Sequence, residues 1–349
     1  MDLLKALSEI AGAPGREERV RDLIKTHVTT AADEVHVDAM GNLFAAVHAK
    51  VRTDLTRKVM LACHMDEIAF YARNVDAKGF IRLQQLGGFD VRNLFARRVL
   101  IQTRSGDIIG SLNPVGRPIH VQTEEDRKRT LRIIDLFVDT GLPADEVRER
   151  VRPGDPVTLI QDFRDLGEVV TGKCMDNRVA CWTGIRVLEQ VAQAPNLAHD
   201  VVVCFTVQEE IGVRGAIVGG YSVNPDIGIA VDVTLAIDQP GIPEEEQITR
   251  LGGGAAIKIM DSYSVSDRGL VDEFIDVAEA RGINYQLEIL PLGGTDAGGL
   301  QRARGGCRAI TISVPCRYVH TVTETVHKDD LHGAVNLIVA WLDASGTAE

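Results

Sequence analysis

The stretch Asp200-Val-Val-Val-Cys-Phe-Thr-Val-Gln-Glu-Glu-Ile-Gly212 joins a continuous apolar run to two adjacent glutamates. The run predicts a strand buried on both faces, because half-exposed strands alternate apolar and polar residues. Ligands of open α/β sheets bind beyond the carboxyl ends of strands, which is where Glu209 and Glu210 stand. An isolated Glu-Glu pair is usually a solvated acidic turn. The other strand ends therefore decide whether this pair has a function.

Similar apolar runs, separated by helical patterns, occur on both sides of this stretch. They predict strands over residues 58–63, 226–231 and 308–314, which end at His64, at Asp232 and shortly before His320. Helical spacing predicts a helix over Val179–Val191, and a last helix that begins near Asp329-Asp330, whose carboxylates could cap it. This alternation predicts an α/β fold, with a mostly parallel central sheet flanked by helices, as in zinc peptidases.

The pattern changes between residues 68 and 162. Short alternating segments, such as 79–84, 98–103 and 131–138, are separated by Gly, Pro and charged turns. They predict a small β-rich unit rather than further βα layers. We therefore expect two domains: residues 1–67 with 163–349 form the α/β domain, and residues 68–162 form an inserted β-rich domain.

Composition excludes several classes of protein. The net charge of −12 argues against a nucleic-acid partner, because phosphate binding requires clustered Lys and Arg. No stretch approaches the roughly 20 apolar residues of a membrane helix, and the N-terminus has no evident signal peptide. The six cysteines form no CxxC pair and mostly lie in or beside apolar runs, as reduced buried thiols do. We expect a cytoplasmic protein without a zinc–thiolate site.

Five places in the α/β part end a strand or begin a helix with a residue able to bind metal. A lone histidine after a strand is usually a hydrogen-bonded loop residue, and a lone Asp before a helix is usually an N-cap. Several strand ends of a doubly wound sheet meet at one crevice, however, so the set is a stronger signal than its members. The five places are His64 with Asp66, Asp176, Glu209 with Glu210, Asp232, and His320.

The residue types of this set are those of a transition-metal site. Two histidines and three carboxylates suit Zn²⁺, Co²⁺ or Mn²⁺ better than Ca²⁺. An odd number of carboxylates permits one to bridge two ions about 3.5–4 Å apart, as in two-metal hydrolases. Asp66, two residues after His64, could accept the second ring N–H of that histidine.

Five motifs, in this order, resemble those of the tetrahedral (TET-type) dinuclear-metal aminopeptidases, a family whose members also carry glutamyl aminopeptidase and cellulase-like names. The resemblance covers nearly the whole chain, and the inserted segment resembles the family's dimerisation domain through Gly116–His120 and Asp135–Val138. The five motifs are Cys63-His-Met-Asp-Glu-Ile-Ala69, Gly172-Lys-Cys-Met-Asp-Asn-Arg178, Val207-Gln-Glu-Glu-Ile-Gly-Val-Arg-Gly-Ala216, Ala230-Val-Asp-Val-Thr234 and Tyr318-Val-His320.

The resemblance implies a ligand set for two divalent ions, Zn or Co with Mn as a further option. His64 and Asp232 would hold one ion, and Glu210 and His320 the other, with Asp176 bridging both. The departures from the family pattern are small. Ala69 and Asn177 replace a common Gly and a common Asp, and neither change removes a ligand.

The resemblance also implies an activity, the removal of N-terminal residues from peptides. Glu209 would be the general base that activates water, and Asp66 would support His64. Thr295 and Asp296, in a Gly-rich segment, would lie near the substrate side chain. The family further implies dimers through the inserted domain and tetrahedral particles of twelve subunits, with peptides as substrates and no nucleic-acid or membrane partner.

Other functions remain as alternatives. The nearest is another amidohydrolase of this architecture, a carboxypeptidase or an N-acyl amino-acid deacylase. A glycoside hydrolase is disfavoured, because its two carboxyl groups must flank a sugar about 5–9.5 Å apart, which adjacent glutamates do not suit. An inactive scaffold is disfavoured by the complete ligand set. His327, His120 and Cys174 are predicted to be structural or surface residues.

Overall fold

The computed structural model of the chain describes residues 1–346. The strands are β1 (Glu34–Val37), β2 (Leu43–Val47), β3 (Lys58–His64), β4 (Ala69–Val75), β5 (Ile81–Leu86), β6 (Arg97–Thr103), β7 (Gly106–Pro114), β8 (Leu136–Asp139), β9 (Pro156–Leu159), β10 (Arg164–Asp165), β11 (Val169–Gly172), β12 (Asp200–Thr206), β13 (Ile227–Leu235), β14 (Ala255–Met260), β15 (Tyr285–Ile289), β16 (Arg308–Arg317) and β17 (Glu324–His327). The helices are α1 (Asp2–Glu9), α2 (Glu18–Val28), α3 (Glu124–Lys128), α4 (Ala144–Arg150), α5 (Met175–Gln193), α6 (Arg214–Val223), α7 (Arg268–Arg281), α8 (Asp296–Gln301) and α9 (Lys328–Ala344).

The central sheet is mixed rather than mostly parallel. Its main order is β1-β2-β12-β3-β13-β16-β17-β11-β10, and β14 and β15 branch from β16. Only the centre, β12-β3-β13-β16, and the β14–β15 pair are parallel. The other pairings between named strands of this sheet are antiparallel. The prediction of a mostly parallel sheet is therefore wrong outside the centre, because short connections such as those of β1–β2 and β16–β17 reverse the chain direction.

Both faces of the sheet centre are buried, as the apolar runs predicted. On β3, Leu61 and Cys63 pack into the core with α5 and α9. The alternate residues Met60 and Ala62 pack on the other face, against Leu300 of α8. Successive strand side chains point to opposite faces, so a strand covered on both sides must be apolar throughout.

Strands β4 to β9 form a closed six-stranded barrel, in the order β4-β5-β8-β7-β6-β9. This result agrees with the predicted β-rich unit, and the barrel has its own apolar core around Phe70, Val99 and Val138. The strand predicted over residues 131–138 is partly wrong. Asp135 accepts the main-chain N–H of Arg132 at 3.0 Å, which forms a short helical turn, so the strand begins only at Leu136.

The last helix begins one residue earlier than predicted and has a different cap. His327 precedes it, and its Nδ1 accepts the N–H of Asp329 at 3.1 Å. Asp330 is buried and accepts the N–H groups of Gly252 and Gly254, each at 2.7 Å. Its carboxylate therefore joins the helix to a neighbouring loop and does not cap the helix. Within residues 1–346, no helix combines the length and apolar character needed to cross a membrane.

Candidate metal centre

The carboxyl ends of the central strands open into a cavity of about 560 Å³. All five predicted metal ligands line it, together with Glu209. The ligands form two overlapping groups, and the ligand atoms within each group lie within 4.8 Å of one another. The first group is His64, Asp176 and Asp232, and the second is Asp176, Glu210 and His320.

Asp176 belongs to both groups because its two carboxylate oxygens face different histidines. Its Oδ1 lies 3.2 Å from His64 Nε2, and its Oδ2 lies 3.4 Å from His320 Nε2. His64 Nε2 also lies 3.8 Å from Asp232 Oδ1, and His320 Nε2 lies 3.4 Å from Glu210 Oε2. The arrangement can hold two ions that share one carboxylate.

Asp232 lies within a strand and not at its end, contrary to the prediction. The ladder between β13 and β3 ends at Ala230, whereas the ladder between β13 and β16 continues to Leu235. On the edge of β13 that faces β3, Asp232 therefore lies beyond the last paired residue. On the edge that faces β16, it is still paired. This half-open position leaves its carboxylate beside the end of β3, where His64 stands.

The loop that carries Glu209 and Glu210 is fixed through its main chain. Asp66 Oδ1 and Oδ2 accept the N–H groups of Glu209 and Glu210, each at 3.0 Å. The two preceding N–H groups, of residues 207 and 208, donate to Asn42 and Glu17. Four successive main-chain donors therefore have side-chain acceptors, which sets the direction of both glutamates.

Asp66 supports His64 differently from the predicted arrangement. His64 Nδ1 lies 3.2 Å from the main-chain carbonyl oxygen of Asp66, but 3.6 Å from its Oδ1. The carboxylate is directed to the loop N–H groups described above. The ring orientation of His64 thus depends on the main chain of residue 66.

Two residues near the site were not identified as functional from the sequence. Asn177 Nδ2 donates to Asp232 Oδ1 at 2.9 Å, so the residue noted only as a departure from the family orients a proposed ligand. Glu324, the first residue of β17, accepts the N–H groups of Asp176 and His320. No sequence signal marks Glu324, because its partners are determined by the fold.

Cys174 is held away from the ligand groups. Its buried thiol donates to Glu67 Oε2 at 2.8 Å, and Lys173 Nζ forms an ion pair with the same carboxylate at 2.6 Å. Arg178 lies 3.5 Å from Glu67 Oε1. Glu67 therefore joins the segment before Asp176 to the end of β3, and Cys174 is a structural thiol.

The charge of the cluster favours cations. Burial raises the pKa of the Asp232 and Glu210 carboxyl groups above their ordinary values. Glu210 Oε1 is also buried without a hydrogen-bond partner among the described residues. Burial opposes a charged imidazole at His320, but Glu210 and Asp176 outweigh it and raise the pKa of that ring. Divalent ions would remove this excess of negative charge and give the unpartnered oxygen a ligand role.

Glu209 belongs to neither ligand group but lies beside them. Its Oε2 is 3.9 Å from His64 Nε2. Burial raises the pKa of its carboxyl group well above the ordinary value, and nearby His64 opposes that shift. A buried carboxyl group with a raised pKa, beside a candidate metal site, is a candidate proton acceptor.

The two residues predicted near the substrate side chain have different positions. Thr295 lines the cavity. Asp296 is buried, accepts a hydrogen bond from Thr206 Oγ1 and is not part of the cavity wall. Burial raises the pKa of Asp296 to about 6. His120, set aside earlier, is exposed in the barrel.

Comparison with known proteins identifies the family. A model of the M42 glutamyl aminopeptidases matches residues 41–337, which is most of the chain. The chain belongs to the M42 glutamyl aminopeptidase family. A relative from Acetivibrio thermocellus is 34% identical over 339 residues, which cover 97% of each protein. The lysyl aminopeptidase of Pyrococcus furiosus is 30% identical, over 98% of this chain and 96% of that protein.

Solved structures agree with the M42 assignment. An aminopeptidase from the archaeon Desulfurococcus kamchatkensis has a TM-score of 0.90 and 31% identity, covering 99% of this chain and 97% of that one. The TET1 peptidase of Pyrococcus horikoshii has a TM-score of 0.86 and 29% identity, covering 97% and 98%. That peptidase can assemble into a tetrahedron or a large octahedral shell.

The predicted resemblance is therefore confirmed, and this M42 chain is a peptidase of a metal-dependent aminopeptidase family. The alternative amidohydrolases, a carboxypeptidase or an N-acyl amino-acid deacylase, are not favoured, because the relatives named above are aminopeptidases.

Proposed function

We propose that this M42 chain is an aminopeptidase that uses two divalent ions, with Glu209 as the general base. The observation that carries the proposal is the position of Asp176, whose two oxygens face His64 and His320 at 3.2 and 3.4 Å. His64 and Asp232 would hold one ion, and Glu210 and His320 the other. Asp176 would be shared by both ions.

The donor set fits borderline transition metals. Each ion would have one imidazole nitrogen and two carboxylate groups, which suits Zn²⁺ or Co²⁺, with Mn²⁺ as the next choice. Ions bound there would act as Lewis acids, which polarise the scissile carbonyl group and lower the pKa of a bound water molecule. All three metals share this chemistry, so the proposal does not depend on which one is native.

The chain's own residues then move the proton. Glu209 would accept a proton from the attacking water and deliver it to the leaving amine, as a buried carboxylate of raised pKa can do. The loop acceptors Asp66, Asn42 and Glu17 would hold its main chain still during this exchange. The carboxylates on the cavity wall would also attract the free α-amino group of the peptide.

The identity of the N-terminal residue is a separate question, because relatives are named for glutamyl and lysyl substrates. The cavity wall beyond the metal cluster is largely aliphatic and includes Leu235, Leu290 and Leu292. Lys258 is the one lysine or arginine on this wall within the described part of the chain, and its Nζ lies 2.8 Å from Glu288 Oε1. With that charge already paired, we propose a preference for neutral aliphatic side chains.

A reconstitution screen tests both the activity and this preference. The metal-free protein would be loaded with Zn²⁺, Co²⁺ or Mn²⁺ and assayed on p-nitroanilides of leucine, methionine, glutamate and lysine. N-acetylated leucine p-nitroanilide is the matched control, because an aminopeptidase requires the free amine. We expect leucine and methionine to be cleaved fastest and the acetylated compound not to be cleaved. Equal cleavage of the acetylated substrate would contradict an aminopeptidase, and faster cleavage of glutamate or lysine would contradict the aliphatic preference.

We also propose self-association through the barrel, as dimers that build a twelve-subunit particle. Apolar side chains on the barrel are exposed in the single chain, among them Ile109 at 61%, Ile119 at 68% and Val121 at 62%. Apolar patches of this kind often mark contact surfaces between proteins, and a structural relative forms a tetrahedral particle. Sedimentation velocity should therefore show a large particle, and a monomer at micromolar concentration would contradict the proposal.

A cytoplasmic location is part of the same proposal. All six cysteines are free thiols, and five of them are buried. Unpaired cysteines in this number are typical of reducing compartments.

A further inference from the structure

Glu324 is a buried carboxyl group that contacts the main chain at two proposed metal ligands. The residue is only 2% exposed. Its Oε2 accepts the N–H of Asp176 at 3.0 Å, and its Oε1 accepts the N–H of His320 at 2.7 Å. Asp176 lies 148 residues away in sequence. One carboxyl group thus connects two segments that are brought together only by folding.

No lysine or arginine offsets the cost of this burial. Within residues 1–346, Glu324 forms no ion pair with a lysine or arginine, and its hydrogen bonds are those to Asp176 and His320. A buried carboxyl group without such a partner is costly unless it is hydrogen-bonded. The two main-chain N–H groups are therefore the contacts that stabilise Glu324 at this position.

The two segments that it joins are irregular. His320 has a φ of +63° and Tyr318 a φ of +61°, values uncommon for residues other than glycine. Asp176 has non-helical angles although it lies in the first turn of α5. Regular pairing does not fix either ligand, so their N–H bonds to Glu324 are a main constraint on how they are placed.

We propose that Glu324 is a positioning residue, which fixes Asp176 and His320 relative to each other and thereby sets the affinity of the ion site formed by Asp176, Glu210 and His320. The inference rests on the proposed two-ion function and adds a residue to it. Glu324 itself would touch neither the ion nor the substrate. Its place in the fold is set by β17, which pairs Glu324 with Gly172 of β11, four residues before Asp176.

The test is a binding titration of the full-length, metal-free protein with Co²⁺, followed by visible absorption and elemental analysis. Glu324→Gln keeps the size of the side chain but leaves a single acceptor oxygen, and its NH₂ group would face one of the N–H donors. Asp330→Asn is the matched control. Asp330 is also a buried carboxylate that accepts two main-chain N–H groups, those of Gly252 and Gly254, and neither belongs to the ion site.

We expect the wild type to bind two ions per chain. In Glu324→Gln, one ion should bind about 10- to 100-fold more weakly, the usual effect of losing a residue that orients a ligand. Peptidase activity should return towards the wild-type value at Co²⁺ concentrations above the weakened Kd, because Glu324 is not catalytic. Asp330→Asn should lower the Tm and leave both ions bound with wild-type affinity.

A double variant identifies the ion that is affected. His320→Ala should remove the ion held with Glu210. Adding Glu324→Gln to that variant should weaken the remaining ion less than Glu324→Gln weakens the other ion in the wild-type background, because the remaining ion uses Asp176 but not His320. Glu324→Asp, which keeps the carboxyl group but shortens the side chain, should give an intermediate affinity and serves as the second variant if Glu324→Gln does not fold.

Three results would overturn the inference. The first is wild-type affinity for both ions in Glu324→Gln or Glu324→Asp, which would leave the proposed function intact. The second is a loss of ion affinity in Asp330→Asn as large as that in Glu324→Gln, which would indicate general destabilisation. The third is a wild-type protein that binds no divalent ion, which would overturn the proposed function together with this inference.

Discussion

The main-chain N–H of Glu209 donates a hydrogen bond of 3.0 Å to Asp66 Oδ1. The next N–H along the loop, that of Glu210, donates to the other oxygen of the same carboxylate at 3.0 Å. Asp66 stands just beyond β3, so the two glutamates at the end of β12 are held by the neighbouring strand end. Their different directions depend on this contact.

Replacing Asp66 with asparagine should therefore disturb the loop. Asparagine can accept only one of the two N–H groups, and a lost hydrogen bond to a charged group costs about 1.5–3 kcal/mol. We expect a lower free energy of unfolding in urea and at least a tenfold loss of kcat/KM. Asp76→Asn is the control, because Asp76 accepts two N–H groups in a barrel turn. A control that loses as much kcat/KM as Asp66→Asn would contradict a specific effect on the loop.

Replacing Glu209 with glutamine tests the general base. Glutamine cannot accept the proton, so kcat should fall by the 10²- to 10⁴-fold that is typical of general-base catalysis, with ~10³ as a central value. Both ions should remain bound, because Glu209 belongs to neither ligand group. Steady-state kinetics and elemental analysis on the same sample provide the measurement. Near wild-type kcat in this variant would rule out Glu209 as the base.

Removing the Asp176 carboxylate tests the shared ligand. Asp176→Ala should lose both ions together after dialysis, because each group includes one of its oxygens. His320→Ala, the comparison variant, should lose only one. Elemental analysis of the dialysed proteins distinguishes these results. Two tightly held ions in Asp176→Ala would show that this carboxylate does not bridge.

The stability of the fold should depend on pH through His199. Burial lowers the pKa of its ring below the ordinary value of 6.5, and its Nδ1 accepts the N–H of Arg57 at 3.1 Å. Below pH 6.5 the unfolded chain therefore binds more protons than the folded chain at this residue. This contribution to stability is complete above pH 6.5 and is lost as the pH falls towards the lowered pKa.

His199→Asn should consequently flatten the dependence of the unfolding free energy on pH between about 7.5 and 5. Asparagine offers an acceptor oxygen to the Arg57 N–H but does not titrate. The exposed His120, replaced by asparagine, is the control and should leave the wild-type profile unchanged. Parallel profiles for His199→Asn and the wild type would show that His199 does not contribute to acid sensitivity.

The sequence predicted the elements around the site well, because their signals are local. The apolar run at 200–207 is β12 (Asp200–Thr206), and the run at 58–63 is β3 (Lys58–His64). A strand buried on both faces has to be apolar throughout, which a short continuous apolar run satisfies. Strand direction was less accessible, because a continuous apolar run has the same composition in parallel and antiparallel pairing.

For Asp232 and Asp66, the sequence did not predict the surroundings of the side chain correctly. The sequence placed Asp232 at a strand end, whereas β13 continues to Leu235 because β16 extends the ladder on one edge. The sequence also predicted that the Asp66 carboxylate would contact His64, whereas this carboxylate accepts two N–H groups of the loop. In both cases the deciding partner lies far away in the chain.

The sequence by itself determined the residue types of the candidate site and their order, since the five motifs sufficed to predict the M42 family that the comparisons confirm. Tertiary structure alone decided how those residues are oriented. Asp176 faces two histidines, and Glu324 accepts the N–H of Asp176, through contacts across more than a hundred residues. Hydrogen bonds act over about 3 Å, so their partners are known only after folding has brought distant segments together.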